Sequence, residues 1–278
     1  MTTSSRVSCS EYSFSAVPRL RDRVAIVRLL GFELVDIGLF CSSVGELLNT
    51  RHSHVEEIRA ALADSHVRCA DLFYAAGETF ADIALNPSDN EARLERREGY
   101  AAALNIAVEL GITGVTILPG VVWANDPTGA WECCIEELSW RLEQARSAGV
   151  ELRIEPHVGS IVSMPEGVRS LLEPLPDLRL TFDQAHFDAQ SVEFDRLGPV
   201  TPWIGHVHVR GAKQGALQVR WRDSESDLAR LVTSLSAAEY AGAYCVEYVA
   251  AEKWRCDEVD VVSETLAARA ALVQLNVV

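Results

Sequence analysis

Residues 178–187 read LRLTFDQAHF, an apolar run of strand composition that ends abruptly on Asp183. Branched and aromatic residues at this spacing suit a buried pleated surface. A chain that leaves such a run on a carboxylate reads as a strand emerging at an open end. Outward from this point the same form recurs: residues 151–155, ELRIE, close on Glu155, residues 205–209, GHVHV, carry His206 and His208, and residues 244–248, YCVEY, carry Glu247. Further strands are expected at 6–10, 33–37, 67–74 and 114–120, and the others at 151–155, 178–183, 204–209 and 244–249. Between them lie segments of helical periodicity at 24–30, 44–63, 91–110, 131–147, 165–172, 224–235 and 259–275. Short apolar runs alternating with amphipathic ones predict parallel strands covered by helices.

About eight strand-helix units are spread over the 278 residues, and no Gly/Ser/Pro-rich tract divides them. The expectation is therefore an α/β fold, a TIM (β/α)8 barrel forming one domain over residues 1–278. A doubly wound open sheet would call for a glycine-rich nucleotide loop after the first strand, and the sequence has none there.

Composition narrows the partners. A formal charge of −15, from 25 basic and 40 acidic residues, disfavours a surface that binds phosphate backbones, so nucleic acid is not an expected partner. The seven cysteines are scattered and odd in number, without CxxC spacing, which reads as reduced thiols. The N-terminal stretch MTTSSRVSCSEYSFSAVPRL lacks an apolar leader core, and no run reaches the ~18 apolar residues of a membrane span. A cytoplasmic protein without membrane attachment is expected.

Barrel chemistry gathers at the C-terminal ends of the strands, because the interior is filled with side chains and the loops at that face build the site. Glu155, Asp183, His208 and Glu247 fall at the ends of four consecutive candidate strands, and neighbouring strands stand about 4.8 Å apart. Three carboxylates and one imidazole can hold one divalent ion, with Mn2+ or Mg2+ favoured and Co2+ or Zn2+ within the same chemistry. Glu247 interrupts a run that should be buried on both faces, where an acid must be paired, protonated or metal-bound. His186 follows Asp183 by three residues and can face the same opening. His157 and Trp123 lie at neighbouring strand exits as candidate substrate contacts.

The segments RIEPH, LTFDQAHF, GHVHVRGAK and YCVEYV together resemble the sugar phosphate isomerase/epimerase family of xylose-isomerase-like barrels over nearly the whole chain. The resemblance implies a TIM barrel that holds a divalent ion through Glu155, Asp183, His208 and Glu247, with His186 touching substrate, and a homodimer or homotetramer. Ketose 3-epimerases of this kind generally carry another Glu six residues after the first metal Glu and an Arg six residues after the metal His. Those places hold Ile161 and Gln214 here, and Arg210 or Lys213 stands near enough to supply the missing cation. Related apurinic endonucleases use extra histidines, yet the exits DLFYAAGE and ILPG contain none.

The expected reaction is isomerisation or epimerisation of a small sugar-like hydroxy-carbonyl substrate through an enediolate, with Glu155 and Glu247 exchanging the carbon-bound proton. An inosose-type dehydratase and a non-catalytic metal-binding barrel are the alternatives.

Overall fold

The computed structural model describes residues 6–277. The first five residues of the N-terminal stretch read above lie outside that range. Eight parallel strands pair in sequence order and close into a barrel, the eighth returning to the first: β1 (Val7–Ser10), β2 (Leu34–Cys41), β3 (Arg68–Ala76), β4 (Gly114–Ile117), β5 (Glu151–Ile154), β6 (Arg179–Asp183), β7 (Ile204–Val209) and β8 (Tyr244–Val246). Around them run α1 (Leu20–Leu29), α2 (Val44–Ser65), α3 (Phe80–Ile83), α4 (Asn90–Leu110), α5 (Pro127–Ala148), α6 (Pro165–Leu172), α7 (Gln184–Asp188), α8 (Leu228–Ala237) and α9 (Val261–Gln274). Among the described residues no helix is long and apolar enough to cross a membrane.

The helix boundaries follow local chemistry. Asp89 caps α4 by accepting the Ala92 N–H at 2.8 Å, and Gly111 ends it at φ 69°, a left-handed conformation that glycine takes without a Cβ penalty. Several helices begin elsewhere than the periodicity suggests, α1 at Leu20 rather than 24 among them. α5 starts at Pro127 rather than 131, because Asp126 accepts the Gly129 N–H and proline fits a first turn whose N–H groups have no helical acceptor. α8 starts at Leu228 rather than 224. The Ser224 hydroxyl instead receives the Ala212 and Ser226 N–H groups in a turn, and Asp227 caps the helix.

Several strands also differ in length: β4 stops at Ile117 rather than 120, and β3 runs on to Ala76. β2 continues four residues past Ile37 to Cys41, and Gly38 permits it, since a Cβ there would stand 2.4 Å from the folded-back Phe40 ring. β8 stops at Val246, so Glu247 sits just beyond it, although its N–H still donates to the Val209 carbonyl at 3.0 Å.

An apolar layer between strands and helices forms most of the core, with Val24, Leu47, Ile58, Ile106, Leu138 and Leu172 among its fully buried members. The barrel interior is polar by contrast. Thr181, His206, Arg153 and Cys245 each precede a candidate site residue by two positions, and so share its side of the strand. They form a buried tier about 7 Å below the mouth. In and around that tier Asp36 accepts from His206 Nε2 at 2.5 Å, Arg153 pairs with Asp71 at 2.8 Å, and the Thr116 and Thr181 hydroxyls meet at 2.5 Å.

Candidate metal centre

The register between β6 and β7 sets the geometry. Leu180 pairs with Ile204 and Thr181 with His206, so Gly205 is passed over in a bulge that brings Asp183 level with His208. A Cβ on Gly205 would stand 3.1 Å from Arg179 Cβ and displace the Glu151 carboxylate, so the bulge leaves little room for a side chain. On the other flank His208 pairs with Cys245.

Glu155, Asp183, His208 and Glu247 each offer a donor atom within 4.8 Å of all the others. Opposite ligands of a small divalent ion stand roughly 4.2 Å apart, so small side-chain adjustments suffice to close the four around one ion. His208 Nδ1 lies 2.8 Å from Glu155 Oε1 and 3.1 Å from Glu247 Oε2. Asp183 Oδ1 receives the Ala185 N–H that opens α7, and its Oδ2 receives Arg210 Nη2 at 2.5 Å. His186 Nε2 stands 3.1 Å from the same guanidinium nitrogen, 3.6 Å from Asp183 Oδ2 and 4.0 Å from Glu155 Oε2.

The electrostatics are those of a buried anionic cluster held by cations. Burial pushes the Glu155 carboxyl up to about 7, against the lowering effect of the His208 hydrogen bond. Burial alone would lower His208, but Glu247 and Glu155 beside it push the imidazole well above its usual value. For Glu247 burial is the largest single influence and raises the carboxyl, but the charge and hydrogen bond of His208 together with the charge of Arg210 outweigh it and the net shift is downward. His186 goes the other way: burial, then the neighbouring His157 and Arg210, hold it neutral, well below the usual imidazole range.

The remaining expected residues fall in different places. His157 lines a cavity of about 310 Å³ at the mouth, with its Nδ1 2.7 Å from the Val158 carbonyl and its ring 3.9 Å from that of His186. Arg210, Glu155 and Glu247 line the same cavity. Trp123 and Lys213 do not. The Trp123 indole N–H donates to the Asn86 carbonyl at 2.6 Å, and Lys213 sits exposed in a turn where its backbone pairs with Ala216. Ile161 packs partly buried against the core, and Gln214 is exposed with its N–H on Glu225.

Sequence reasoning passed over Asp36, which with His206, His208 and Cys245 makes a second group of converging donors directly beneath the first. Its signal was present, for Asp36 interrupts LVDIGLF as Glu247 interrupts YCVEY. It also passed over the aromatic lining contributed by Tyr12, Phe40 and Phe80. Phe73 stacks along His208 with ring centres 6.2 Å apart.

A family model described as xylose isomerase-like TIM barrel matches residues 24–271. No curated protein matches the chain in sequence. Among solved structures it is similar to the D-psicose 3-epimerase with D-tagatose from Clostridium cellulolyticum H10, at 14% identity, covering 97% of this chain and 99% of that one, with a TM-score of 0.77. It is also similar to the 3-keto-D-glucoside 4-epimerase from E. coli, at 16% identity over 99% and 100% of the two chains, with a TM-score of 0.68. A xylose isomerase-like TIM barrel protein from Mycobacterium smegmatis in complex with magnesium gives 14% identity, 98% and 96% coverage and a TM-score of 0.74. Likeness at these identities is likeness of fold.

Proposed function

This chain belongs to the xylose isomerase-like TIM barrel family, and we propose that it is a divalent-metal-dependent isomerase or epimerase of a small keto-sugar or related hydroxy-carbonyl compound, acting as one barrel domain. The observation that carries the reading is the convergence of Glu155, Asp183, His208 and Glu247 at the open end of the barrel. Two buried carboxylates and a partly buried one around one imidazole suit Mn2+ or Mg2+, and the nitrogen admits Co2+ or Zn2+. The names of two similar structures, both epimerases, and the magnesium in a third are consistent with that chemistry.

A divalent ion held there supplies Lewis-acid polarisation of a substrate carbonyl and charge stabilisation on the adjacent oxygen. The protein's own groups handle the proton. Glu155 and Glu247 sit just past the ends of β5 and β8 and both approach His208 at Nδ1. One removes the proton from the carbon beside the carbonyl and the other returns one. Return to the same carbon with inversion is epimerisation, and return to the neighbouring carbon is isomerisation. The Arg210 guanidinium and neutral His186 stand together at 3.1 Å, where they can hydrogen-bond to the oxygen on which enediolate charge develops.

The test is proton exchange. Metal-loaded protein incubated in deuterated water with ketoses, inososes and hydroxypyruvate should wash deuterium into the carbon beside the carbonyl, read by NMR. Glu247→Gln should lower that rate by about 10²-fold or more with circular dichroism unchanged. Undiminished exchange in a folded Glu247→Gln protein would remove the role assigned to Glu247.

A further inference from the structure

The cavity beside the four donors has aromatic and aliphatic walls. Tyr12, Phe40, Phe73 and Phe80 line it, with Leu118 and Val249 between polar groups. Tyr12 and Phe40 meet edge to face at 4.6 Å, and Phe40 and Phe73 are 5.7 Å apart, so three rings from the first three strand exits form one continuous wall. Phe80 packs on His157 at 5.0 Å and adds a fourth ring. Phe40 is 41% exposed, the most exposed phenylalanine among the described residues. An aromatic side chain left open at the mouth of a site is a surface awaiting an apolar partner.

The polar groups of the lining, Glu155, His157, Arg210 and Glu247 with Glu78, Thr79 and the Tyr12 hydroxyl, leave the ring-lined part of the wall apolar. Arg210 is its one Lys or Arg among the described residues and donates to Asp183. Glu78 and Thr79 are exposed at the rim, where the Thr79 hydroxyl donates to Asp82. Among the described residues of the lining, a phosphate brought into this cavity would face Glu78, Glu155 and Glu247, with that already paired guanidinium and the His157 imidazole in return. Hydroxyls laid against the rings and aliphatic side chains would lose water without finding acceptors or donors, at a cost of about 1–3 kcal/mol each.

Resting on the metal-dependent reading above, we propose that the substrate is an unphosphorylated α-hydroxy ketone whose far end is an uncharged aryl group, seated among Tyr12, Phe40, Phe73 and Phe80. The vicinal oxygens of the reacting end face Glu155, Glu247 and Arg210, and the ring occupies the apolar wall. The reaction itself remains a proton transfer between carbon and a carboxylate, with no change in the atoms of the substrate.

Three probes decide it: 1-hydroxy-4-phenylbutan-2-one, D-fructose and D-fructose 6-phosphate, each titrated calorimetrically into metal-loaded protein and each followed for deuterium uptake. The aryl ketone should bind at least about tenfold more tightly than fructose, and the phosphate ester should bind weakest. Phe40→Ala and Phe80→Ala, each checked for folding by circular dichroism, should weaken the aryl ketone by about threefold or more, and by a larger factor than they weaken fructose. Equal or tighter binding of fructose or its phosphate overturns the proposal, as does aryl affinity unmoved by both substitutions. Tight aryl binding without exchange on any probe keeps the ligand class and removes the isomerase reading. Exchange on fructose with equal or greater efficiency keeps the isomerase reading and removes the aryl preference.

Discussion

His208 has different company at its two ring nitrogens. Nδ1 faces Glu155 and Glu247, while Nε2 lies 3.8 Å from Asp36 Oδ2, the oxygen that also meets His206. A carboxylate behind a ligating imidazole raises its basicity, and Asp36, hydrogen-bonded to His206, acts on His208 from the tier below through its charge. Asp36→Asn should therefore weaken metal affinity by roughly 10–100-fold, and a metal titration showing wild-type affinity would contradict that part. Proton linkage has a definite sign. Ligation requires Glu155 ionised and His208 Nδ1 unprotonated, yet burial holds the Glu155 proton up to about 7 and the carboxylates hold the His208 proton above its usual range. Metal binding must then release protons, so affinity climbs as pH rises through 7. Calorimetry in two buffers of different ionisation heat measures the release, and buffer-independent heats would oppose the prediction. The four donors were legible because each ends or breaks an apolar run. Asp36 carried the same mark but lay in a strand read as ending at Ile37, one residue on. Phe40 and Phe80 gave no signal, since nothing local distinguishes a ring that lines a cavity from one in the core.

At the scale of elements, alternation of composition revealed the eight strands, because buried parallel strands are apolar and β-branched whatever follows them. Their ends were less legible. Ends depend on caps and bulges, which are contacts with neighbours rather than periodicities, as Asp126, Ser224 and Gly38 illustrate. Asp126→Ala should cost α5 about 1 kcal/mol, a fall in melting temperature of about 2–4 °C for a chain of this size. Gly205→Ala forces a Cβ against Glu151 Oε1 and, at 3.1 Å, Arg179 Cβ, so it strains the bulge that aligns Asp183 with His208. Its cost should be about 1–3 kcal/mol and should come with weakened metal binding, which Asp126→Ala should not share. Scanning calorimetry with and without metal separates the two, and a Gly205→Ala protein with unaltered metal response would show that the bulge does not govern the site.

Across the whole molecule, the centre gathers acids from β5, β6 and β8 around a histidine from β7. An ion bound there links half of the barrel's strands through one point, and a ligand that binds only the folded chain stabilises it by mass action. Metal at about a thousandfold above its dissociation constant should contribute about 4 kcal/mol. The most direct measurement is an equilibrium titration of chelator-stripped protein with Mn2+, followed by elemental analysis, on the wild type and on Asp183→Asn. The account predicts about one ion per wild-type chain, with a melting temperature that rises with metal, and far weaker binding in a folded Asp183→Asn protein. Wild-type chains that take up no ion, or an Asp183→Asn protein that binds it equally well, would contradict it.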